Sequence, residues 1–316
     1  MSTCSYCVPE RSSAMKFYIS FETGGTSIRF AIVGEDLSIK EFYKIPTHEF
    51  NMASDTFSLL CDHIESMIKR IGFENIAGIC SSWAAMLDLK CRVLLSAPNI
   101  RGFDNFRIAD RLEERFGLRT YIIRDCNALL LYEMQRLGLS SEKGVIVGVF
   151  LGTGLGNAMC FDGKLYNGAN GACSELGHLT IRGVEDICVC GKKGCVEVLC
   201  SGKTLRELAE KKYRVPISEI FVRHLDKEDV YNIVKYSAIA IAAEITILDP
   251  KLVILGGGVM KIPGFPFESF ETEIRDNLRF PNPRYSARFA YASGDDVAGV
   301  IGATINAIMV STGRTC

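Results

Sequence analysis

Three cysteines and a histidine near the middle of the chain have the spacing of a metal site. The segment from 188 to 195 reads C-V-C-G-K-K-G-C, and His178, one of four histidines, precedes it. Cys188 and Cys190 are separated by one residue, which makes an unstrained disulfide between them hard to close. Cys188, Cys190, Cys195 and His178 therefore predict a tetrahedral Cys3His zinc site of the closed, structural kind. The alternative is a loop of free buried thiols with His178 as an ordinary core residue.

Two carboxylates, Glu175 and Glu197, flank this cluster in the sequence. A zinc-bound imidazole has a second ring nitrogen whose N–H needs an acceptor, and a ligand hydroxyl can serve as well as a protein group. Carboxylates beside that nitrogen would accept hydrogen bonds from a polyol. The residues permit a plainer role equally well, in which Glu175 and Glu197 stabilise helix termini.

Asp125 is a third candidate carboxylate, near the end of the β-rich run YIIRDC. The carboxyl end of a strand in an α/β sheet faces the crevice where ligands bind, so Asp125 is a candidate general base for a substrate hydroxyl. A helix is predicted to begin near Asn127. The alternative role for Asp125 is to cap that helix.

Three glycine-rich turns, each directly after an apolar strand, indicate phosphate binding. Glycine lets backbone N–H groups approach phosphate oxygens, and a threonine adds a hydroxyl donor. One such turn alone is more simply a tight hairpin, but three of them, with Glu22 beside the first, favour a nucleoside triphosphate between two domains. Neither a Walker loop nor the dinucleotide-binding glycine pattern with its acidic partner is present in the sequence. The turns are Gly24, Gly25 and Thr26; Gly152, Thr153, Gly154 and Gly156; and Gly256, Gly257 and Gly258.

The elements around these turns indicate a duplicated α/β unit. Residues 16–35 and 145–168 share one plan, in which an apolar strand, a glycine turn and a second strand form a hairpin. Helices are predicted over Thr56–Ile71 and Lys203–Lys212, one after each hairpin. A buried strand over 252–255 precedes the third glycine turn.

Composition favours a globular cytoplasmic protein with small-molecule partners. The chain has 316 residues, 48% of them hydrophobic, and a formal net charge of −1, which is enough chain for two domains and gives no general attraction to nucleic acid or membrane. The first fifteen residues are polar, so we expect a disordered leader in which Cys4 and Cys7 bind no metal. Thirteen cysteines indicate free core thiols plus one metal cluster. Tyr236–Leu248 is too short for a membrane span and contains Glu244, so a buried helix is predicted there.

A family resemblance is carried by motifs distributed along the whole chain. E-T-G-G-T, P-N-I, R-D-C-N, L-G-T-G-L-G, E-L-G-H, C-x-C-G-x-x-G-C-x-E and D-P-K-L-V-I-L-G-G-G-V occur in the order found in the ROK family of sugar kinases. The chain resembles that family from about residue 16 to its end. The resemblance implies an α/β actin-like ATPase fold, with two RNase H-like domains around a cleft and a structural zinc loop. It implies residues 16–123 plus 298–316 for the first domain and 124–297 for the second, with the last helix, from about Val297 to Val310, crossing back.

The resemblance also implies roles for the candidate residues. Asp125 takes the place of the general base that accepts the proton of the sugar's 6-hydroxyl, and the glycine turns take the places of the ATP motifs. Mg2+ accompanies the ATP, and the family usually forms homodimers. The positions that would hold sugar hydroxyls are Asn99, Asp125, Glu175, His178 and Glu197.

Within the family, R-D-x-N, C-S-G and I-L-D-P-K-L-V-I-L-G-G-G-V-M-K-I-P resemble D-allose kinases most. The expected activity is therefore ATP-dependent phosphorylation of a hexose 6-hydroxyl, with D-allose as the first expectation. Glucose, mannose, fructose or N-acetylmannosamine are the alternative substrates.

Four positions depart from the family pattern. Glu22 stands where an aspartate normally helps to organise magnesium, an ion that tolerates little distortion. Ser82 and Ala84 replace a glycine and a proline, and Arg124 stands where many relatives have asparagine. Glu22 and the altered loop with Ser82 and Ala84 support a second hypothesis, a non-catalytic sugar-binding regulator. The family's transcriptional repressors resemble this chain plus a helix-turn-helix domain, for which the polar leader is too short.

Overall fold

Two mixed β-sheets of five strands each form the framework of the molecule. The computed structural model describes residues 15–313, so the predicted leader with Cys4 and Cys7 lies outside the described residues. In each sheet a central strand pairs antiparallel with the strand that follows it and parallel with a strand from later in the chain. The predicted α/β class and the duplication of one unit are confirmed.

Helices connect the strands and cover both sheets. The strands are β1 (Phe17–Thr23), β2 (Ser27–Gly34), β3 (Ile39–Pro46), β4 (Ile76–Trp83), β5 (Met86–Leu87), β6 (Leu94–Ser96), β7 (Thr120–Arg124), β8 (Val145–Leu151), β9 (Leu155–Phe161), β10 (Lys164–Leu165), β11 (Leu252–Gly256) and β12 (Phe289–Tyr291). The helices are α1 (Thr47–Asn51), α2 (Thr56–Ile71), α3 (Ile108–Phe116), α4 (Asp125–Arg136), α5 (Glu197–Cys200), α6 (Gly202–Glu207), α7 (Ile220–His224), α8 (Glu228–Leu248), α9 (Phe267–Asp276) and α10 (Ala298–Ser311).

The first sheet has the order β3-β2-β1-β4-β7, and β1 is buried on both faces. Ile19 and Phe21 share a buried cluster with Ile64 of α2, a helix that has the bounds predicted for it. On the opposite face, the Ser20 hydroxyl donates to the carbonyl of Val300 in α10 at 2.7 Å. β1 is thus buried on both faces although Ser20 and Glu22, on the face that meets α10, are polar.

The second sheet repeats this plan in the order β10-β9-β8-β11-β12. β8 and β9 form the second predicted hairpin, and the turn at Asp162 and Gly163 leads into β10. Both turn residues have positive φ, 50° and 78°, as a tight two-residue hairpin turn requires. The strand predicted over 252–255 is β11. The strand order matches that of the first sheet, which is consistent with the predicted actin-like ATPase fold.

The core of the second half is organised by α8. The helix predicted over Tyr236–Leu248 is part of α8, which begins earlier, at Glu228. α8 has the length and composition of a membrane span, but more than half of it is buried, and Ile233 and Ile241 pack with Phe270. Its apolar character is that of a core helix.

The helix predicted over Lys203–Lys212 differs in form from the prediction. α6 ends at Glu207, and Leu208–Tyr213 continues as a π-helical turn. The wider turn brings Tyr213 to α8, where its hydroxyl donates to Asp229 at 2.6 Å. The π-helical turn thus coincides with a contact to α8, which helical periodicity does not reveal.

The last helix returns from the second sheet to the first. α10 follows β12 but packs against β1, β4, β7 and α4. Gly302 approaches Ala128 of α4 so closely that a Cβ there would collide with its carbonyl. The small residues of α10 thus allow α4 and α10 to pack tightly behind the site.

Candidate functional site

The predicted metal ligands converge on one point. His178, Cys188, Cys190 and Cys195 each offer one ligand atom, and these atoms lie within 4.8 Å of one another. Cys190 Sγ lies 3.6 Å from Cys195 Sγ, and Cys188 Sγ lies 3.7 Å from His178 Nδ1. Atoms bound to tetrahedral zinc at normal bond lengths are about 3.5–3.8 Å apart. The four side chains therefore fit a zinc ion, and their convergence favours a metal site over unrelated buried thiols.

A short hairpin brings these thiols together. The N–H of Cys188 donates to Lys192 O and the N–H of Gly191 donates to Cys188 O, each at 2.9 Å. Cys195 pairs in an isolated bridge with Thr180, close to His178 in the chain. Backbone hydrogen bonds thus hold the thiols close together.

Glu197 joins the metal loop to the second glycine turn. Its Oε2 accepts from the N–H of Leu155 at 2.8 Å, and its Oε1 lies 3.8 Å from Cys188 Sγ. A Cβ on Gly154 would collide with this carboxylate, so glycine at that position leaves room for Glu197 in its present place. Glu197 is also the first residue of α5. It therefore has the helix-terminal position that the alternative role, stabilising a helix terminus, requires, in addition to these contacts.

Glu175 faces both His178 and Arg124. Its Oε1 accepts from Arg124 Nη2 at 2.8 Å, and its Oε2 lies 3.6 Å from His178 Nε2. The His178 ring therefore presents Nδ1 to the cysteines and Nε2 to Glu175, at a distance too long for a direct hydrogen bond. Arg124 also donates to the carbonyl of Cys173 at 2.7 Å. Arg124, one of the four positions that depart from the family pattern, thus orients Glu175.

Asp125 begins α4 directly after β7. Its Oδ1 accepts from the N–H of Cys126 at 2.8 Å. Burial raises the pKa of Asp125, and the Cys126 N–H and the Arg124 guanidinium oppose that rise. Arg124 occupies the N-cap position of α4, so Asp125 does not have the capping position of the alternative role.

Glu22, on β1, is buried and faces Asp125. Burial raises the pKa of Glu22 to about 7; Arg29 lowers it and the Asp125 carboxylate raises it. Arg29 Nη1 lies 3.3 Å from Glu22 Oε2, and Arg29 Nη2 lies 3.3 Å from Asp296 Oδ1. Arg29 already offsets part of the repulsion that Asp125 exerts on Glu22. A divalent cation bound near both carboxyl groups would offset the rest.

Ser82 and Ala84, the other departures from the family pattern, hold the end of β4 to the first hairpin. The Thr23 hydroxyl donates to Ser82 O at 3.4 Å, and the N–H of Ala84 donates to Thr23 O at 3.3 Å. The Ser82 hydroxyl donates to Gly299 O of α10 at 3.4 Å. The substituted residues are thus part of the frame around Glu22.

The first two glycine turns meet each other. A Cβ on Gly25 would lie 3.3 Å from Thr153 Oγ1 and 3.6 Å from the side chain of Asn99. The N–H of Gly24 closes the first turn by donating to Ser27 O at 3.1 Å. Turns that are more than a hundred residues apart in sequence therefore face one another across a narrow gap, with Asn99 beside them.

The third glycine turn lies against the second. Gly257 has φ of 103°, and a Cβ there would collide with the carbonyl of Leu151, at the end of β8. The carbonyl of Gly152 accepts from the N–H of Gly202 at 2.9 Å, where α6 begins. The turns around Gly152–Gly156 and Gly256–Gly258 thus form one surface.

Two contacts at the site were not predicted from the sequence. The sequence does not indicate Arg29 as the partner of Glu22, and it does not indicate a role for Asn157. Asn157 Oδ1 accepts from the N–H of Leu176 at 3.0 Å, and its Nδ2 donates to Glu244 Oε1 at 2.6 Å. A lone carboxylate in the apolar run 236–248 was the available signal for Glu244.

The fold and site together define a two-sheet α/β protein whose glycine turns line a cleft next to a Cys3His cluster. The chain belongs to the ROK family, whose model matches residues 18–309. It is 25% identical over 315 residues to a glucokinase of Halalkalibacterium halodurans, covering 91% of this chain and 93% of that protein. It is 30% identical over 263 residues to an N-acetyl-D-glucosamine kinase of Aliivibrio fischeri, covering 77% and 84%. A ROK family glucokinase from Streptomyces griseus, solved with glucose and AMPPNP, has a TM-score of 0.76 at 23% identity and covers 92% and 98% of the two chains.

Proposed function

We propose that this protein is a sugar kinase that transfers the γ-phosphoryl group of ATP to the 6-hydroxyl of a hexose. The observation that carries the proposal is the meeting of Gly25, Thr153 and Asn99, which brings two glycine turns from different sheets to one cleft. Glycine turns from two sides can enclose a triphosphate with backbone donors. The kinase names of the relatives support the same activity.

Asp125 is the proposed general base. Its carboxyl follows a strand at the cleft, and burial raises its pKa, which makes its carboxylate a better proton acceptor near neutral pH. In phosphoryl transfer, positioning and charge stabilisation supply most of the acceleration and the base supplies less.

Glu22 is the proposed organiser of Mg2+. The ion would neutralise phosphate charge when bound, and the two facing carboxyl groups of Glu22 and Asp125 suit it electrostatically. Arg29 Nη1 lies 3.3 Å from Glu22 Oε2 and offsets part of the negative charge of the pair.

The sugar is proposed to lie between Asp125 and the metal loop. The gap of 3.6 Å between His178 Nε2 and Glu175 Oε2 offers a donor and an acceptor to one hydroxyl group. Zinc on the Cys3His set would fix the His178 tautomer, so that Nε2 carries the proton. Glu197 and Asn99 are proposed to bind further hydroxyl groups.

Substrate identity is the finer part of the proposal. The sequence motifs resemble those of D-allose kinases, whereas the relatives are named for glucose and N-acetyl-D-glucosamine. D-Allose stays our prediction from the motifs. Glucose and the N-acetyl hexosamines are the alternatives that the relatives favour. The predicted domain boundaries, the cytoplasmic location and the homodimer also stay predictions.

The test is ADP release with Mg-ATP across D-allose, D-glucose, D-mannose, D-fructose, N-acetylmannosamine and N-acetylglucosamine, with zinc determined on the same sample. We expect strong turnover on one of these sugars and about one zinc per chain. Turnover on allose alone supports the finer prediction, and turnover on another sugar replaces it. No turnover on any sugar by folded, zinc-loaded protein contradicts the kinase.

The ion pair of Glu22 and Arg29 favours one other candidate, a non-catalytic sugar-binding regulator. A carboxylate already held by a guanidinium at 3.3 Å is less available to Mg2+. Calorimetry that shows sugar binding, in a sample that forms no ADP, would support this candidate over the kinase.

A further inference from the structure

A buried chain of hydrogen bonds links α8 to the segment that carries Glu175 and His178. Glu244 Oε1 accepts from Asn157 Nδ2 at 2.6 Å, and Asn157 Oδ1 accepts from the N–H of Leu176 at 3.0 Å. Asn157 is 1% exposed and Glu244 is 7% exposed. The link therefore lies inside the core and ends on Leu176, which lies between Glu175 and the predicted metal ligand His178 in the sequence.

We propose that Glu244 and Asn157 are positioning residues, which set the place of Leu176 and thereby hold His178 and Glu175 for the metal and the substrate. This deepens the proposed function and rests on it for the substrate, although its consequence for the metal is independent of turnover. Neither residue reaches the metal cluster itself, so each acts through the backbone of the Leu176–His178 turn.

The orientation of the Asn157 carboxamide explains why a carboxyl group is needed on α8. The amide has one acceptor and one donor end, and only the acceptor end can bind the N–H of Leu176. Glu244 binds the donor end, so it selects the orientation that the turn requires. Without Glu244, the amide N–H would be buried without this acceptor and the amide would be free to rotate.

The protonation state of Glu244 agrees with its role as a hydrogen-bond acceptor for Asn157. Burial raises its pKa to about 8, so at neutral pH it is largely an uncharged acid. Its Oε2 has no hydrogen-bond partner within residues 15–313, and an uncharged acid tolerates that more easily than a carboxylate does. Glutamine has the same shape and the same acceptor, which makes Glu244→Gln the conservative variant.

The chain offers matched variants for a test. Glu244→Leu keeps the volume and removes the acceptor, and Asn157→Leu removes the next link. Ile241→Ala perturbs the same buried helix one turn away and removes no member of the hydrogen-bond chain. If Glu244→Leu does not fold, Asn157→Ala tests the same link from β9, where main-chain pairing does not depend on the side chain.

The first readout is zinc affinity, measured by chelator competition without ATP or sugar. Loss of outer partners of metal ligands typically weakens metal binding by about 10–100-fold. We expect that loss in Glu244→Leu and Asn157→Leu, no larger loss in the double variant because the links act in series, and wild-type affinity in Glu244→Gln and Ile241→Ala. Wild-type zinc affinity in Glu244→Leu, or an equal loss in Ile241→Ala, would overturn the proposal.

The second readout is the split between KM and kcat for the sugar that the wild type phosphorylates. We expect Glu244→Leu to raise the sugar KM by about tenfold or more and to change kcat much less, because Asp125 is not on the linked segment. An equal fall of kcat with an unchanged KM would contradict the positioning role. A wild type that phosphorylates no sugar contradicts the proposed function, while the zinc readout still decides on Glu244.

Discussion

The two halves of the molecule, one built on each five-stranded sheet, have the same strand order but different side chains at the cleft. The cleft of the first half has carboxyl groups at the ends of its strands, the buried Glu22 on β1 and the half-buried Asp125 after β7. The cleft of the second half has the Cys3His cluster, with Glu175 and Glu197 beside it. Under the proposed function, the first half carries out the proton and cation chemistry and the second half holds the sugar.

The glycine turns show the same difference on a smaller scale. The first turn is closed by its own backbone, through the N–H of Gly24 and Ser27 O. The second turn also has a backbone bond of its own, from the N–H of Gly152 to Gly154 O at 2.9 Å. In addition it is held by a distant side chain, because Glu197 binds the N–H of Leu155 and occupies the space beside Gly154. Damage to the metal loop should therefore reach the second turn and spare the first.

The largest expected effect is on the first half, in Asp125→Asn. We expect kcat to fall by about 10²–10⁴-fold, the usual contribution of a general base, while sugar affinity changes little. Steady-state kinetics and calorimetry on the same preparation measure both. Asp226→Asn, at an exposed carboxylate, is the control. A variant of Asp125 that keeps wild-type kcat would remove this residue from the mechanism.

The next effect is on the second half, in Cys195→Ala. Three remaining ligands leave a structural zinc site incomplete, so we expect loss of the zinc and a sugar affinity lower by about 10–100-fold. Zinc analysis and calorimetry are the measurements. Cys200→Ala removes another fully buried thiol that lies outside the cluster and should keep the zinc. Full sugar affinity in zinc-free Cys195→Ala would break the division between the halves.

A smaller effect concerns the acid limb of the pH–rate profile. With the pKa of Glu22 raised to about 7, lowering the pH through 7 protonates the group that should attract Mg2+. We therefore expect kcat/KM to fall below pH 7, by up to about tenfold per pH unit. Glu22→Gln should be slower and should lose this limb. If the acid limb near pH 7 persists in Glu22→Gln, a group other than Glu22 causes it.

The last prediction concerns stability rather than turnover. Between pH 4.5 and 8 the folded protein keeps a proton on Glu244 that the unfolded chain releases, so the free energy of unfolding falls as the pH rises. Glu244→Gln should lack this contribution, and its stability relative to wild type should rise by about 1–3 kcal/mol between pH 5 and pH 8. Denaturant unfolding at several pH values measures it, and parallel curves for the two proteins would contradict it.

Local patterns in the sequence predicted those features that depend on neighbouring residues. The bounds of α2, the two hairpins and the strand β11 follow from periodicity and glycine turns over short windows. The convergence of His178 with the three cysteines also follows from local spacing, because one short hairpin brings the thiols together.

Contacts between residues far apart in the sequence could not be predicted from local patterns. The Arg124–Glu175 ion pair joins residues about fifty positions apart, and the Asn157–Glu244 contact joins residues from β9 and α8. No periodicity indicates which strand or helix will supply such a partner. The helix predicted over Tyr236–Leu248 begins later than α8, because the first two turns of α8 are less apolar than the run that follows.

Detection of the product by ³¹P NMR, with Mg-ATP and each sugar of the panel, tests the central claim most directly. The account predicts a new phosphate monoester on the primary 6-hydroxyl of one hexose, formed by the wild type and nearly absent with Asp125→Asn. If the wild type binds a sugar by calorimetry but yields no phosphate ester with any sugar tested, the protein is not a kinase for these sugars and the regulator takes its place.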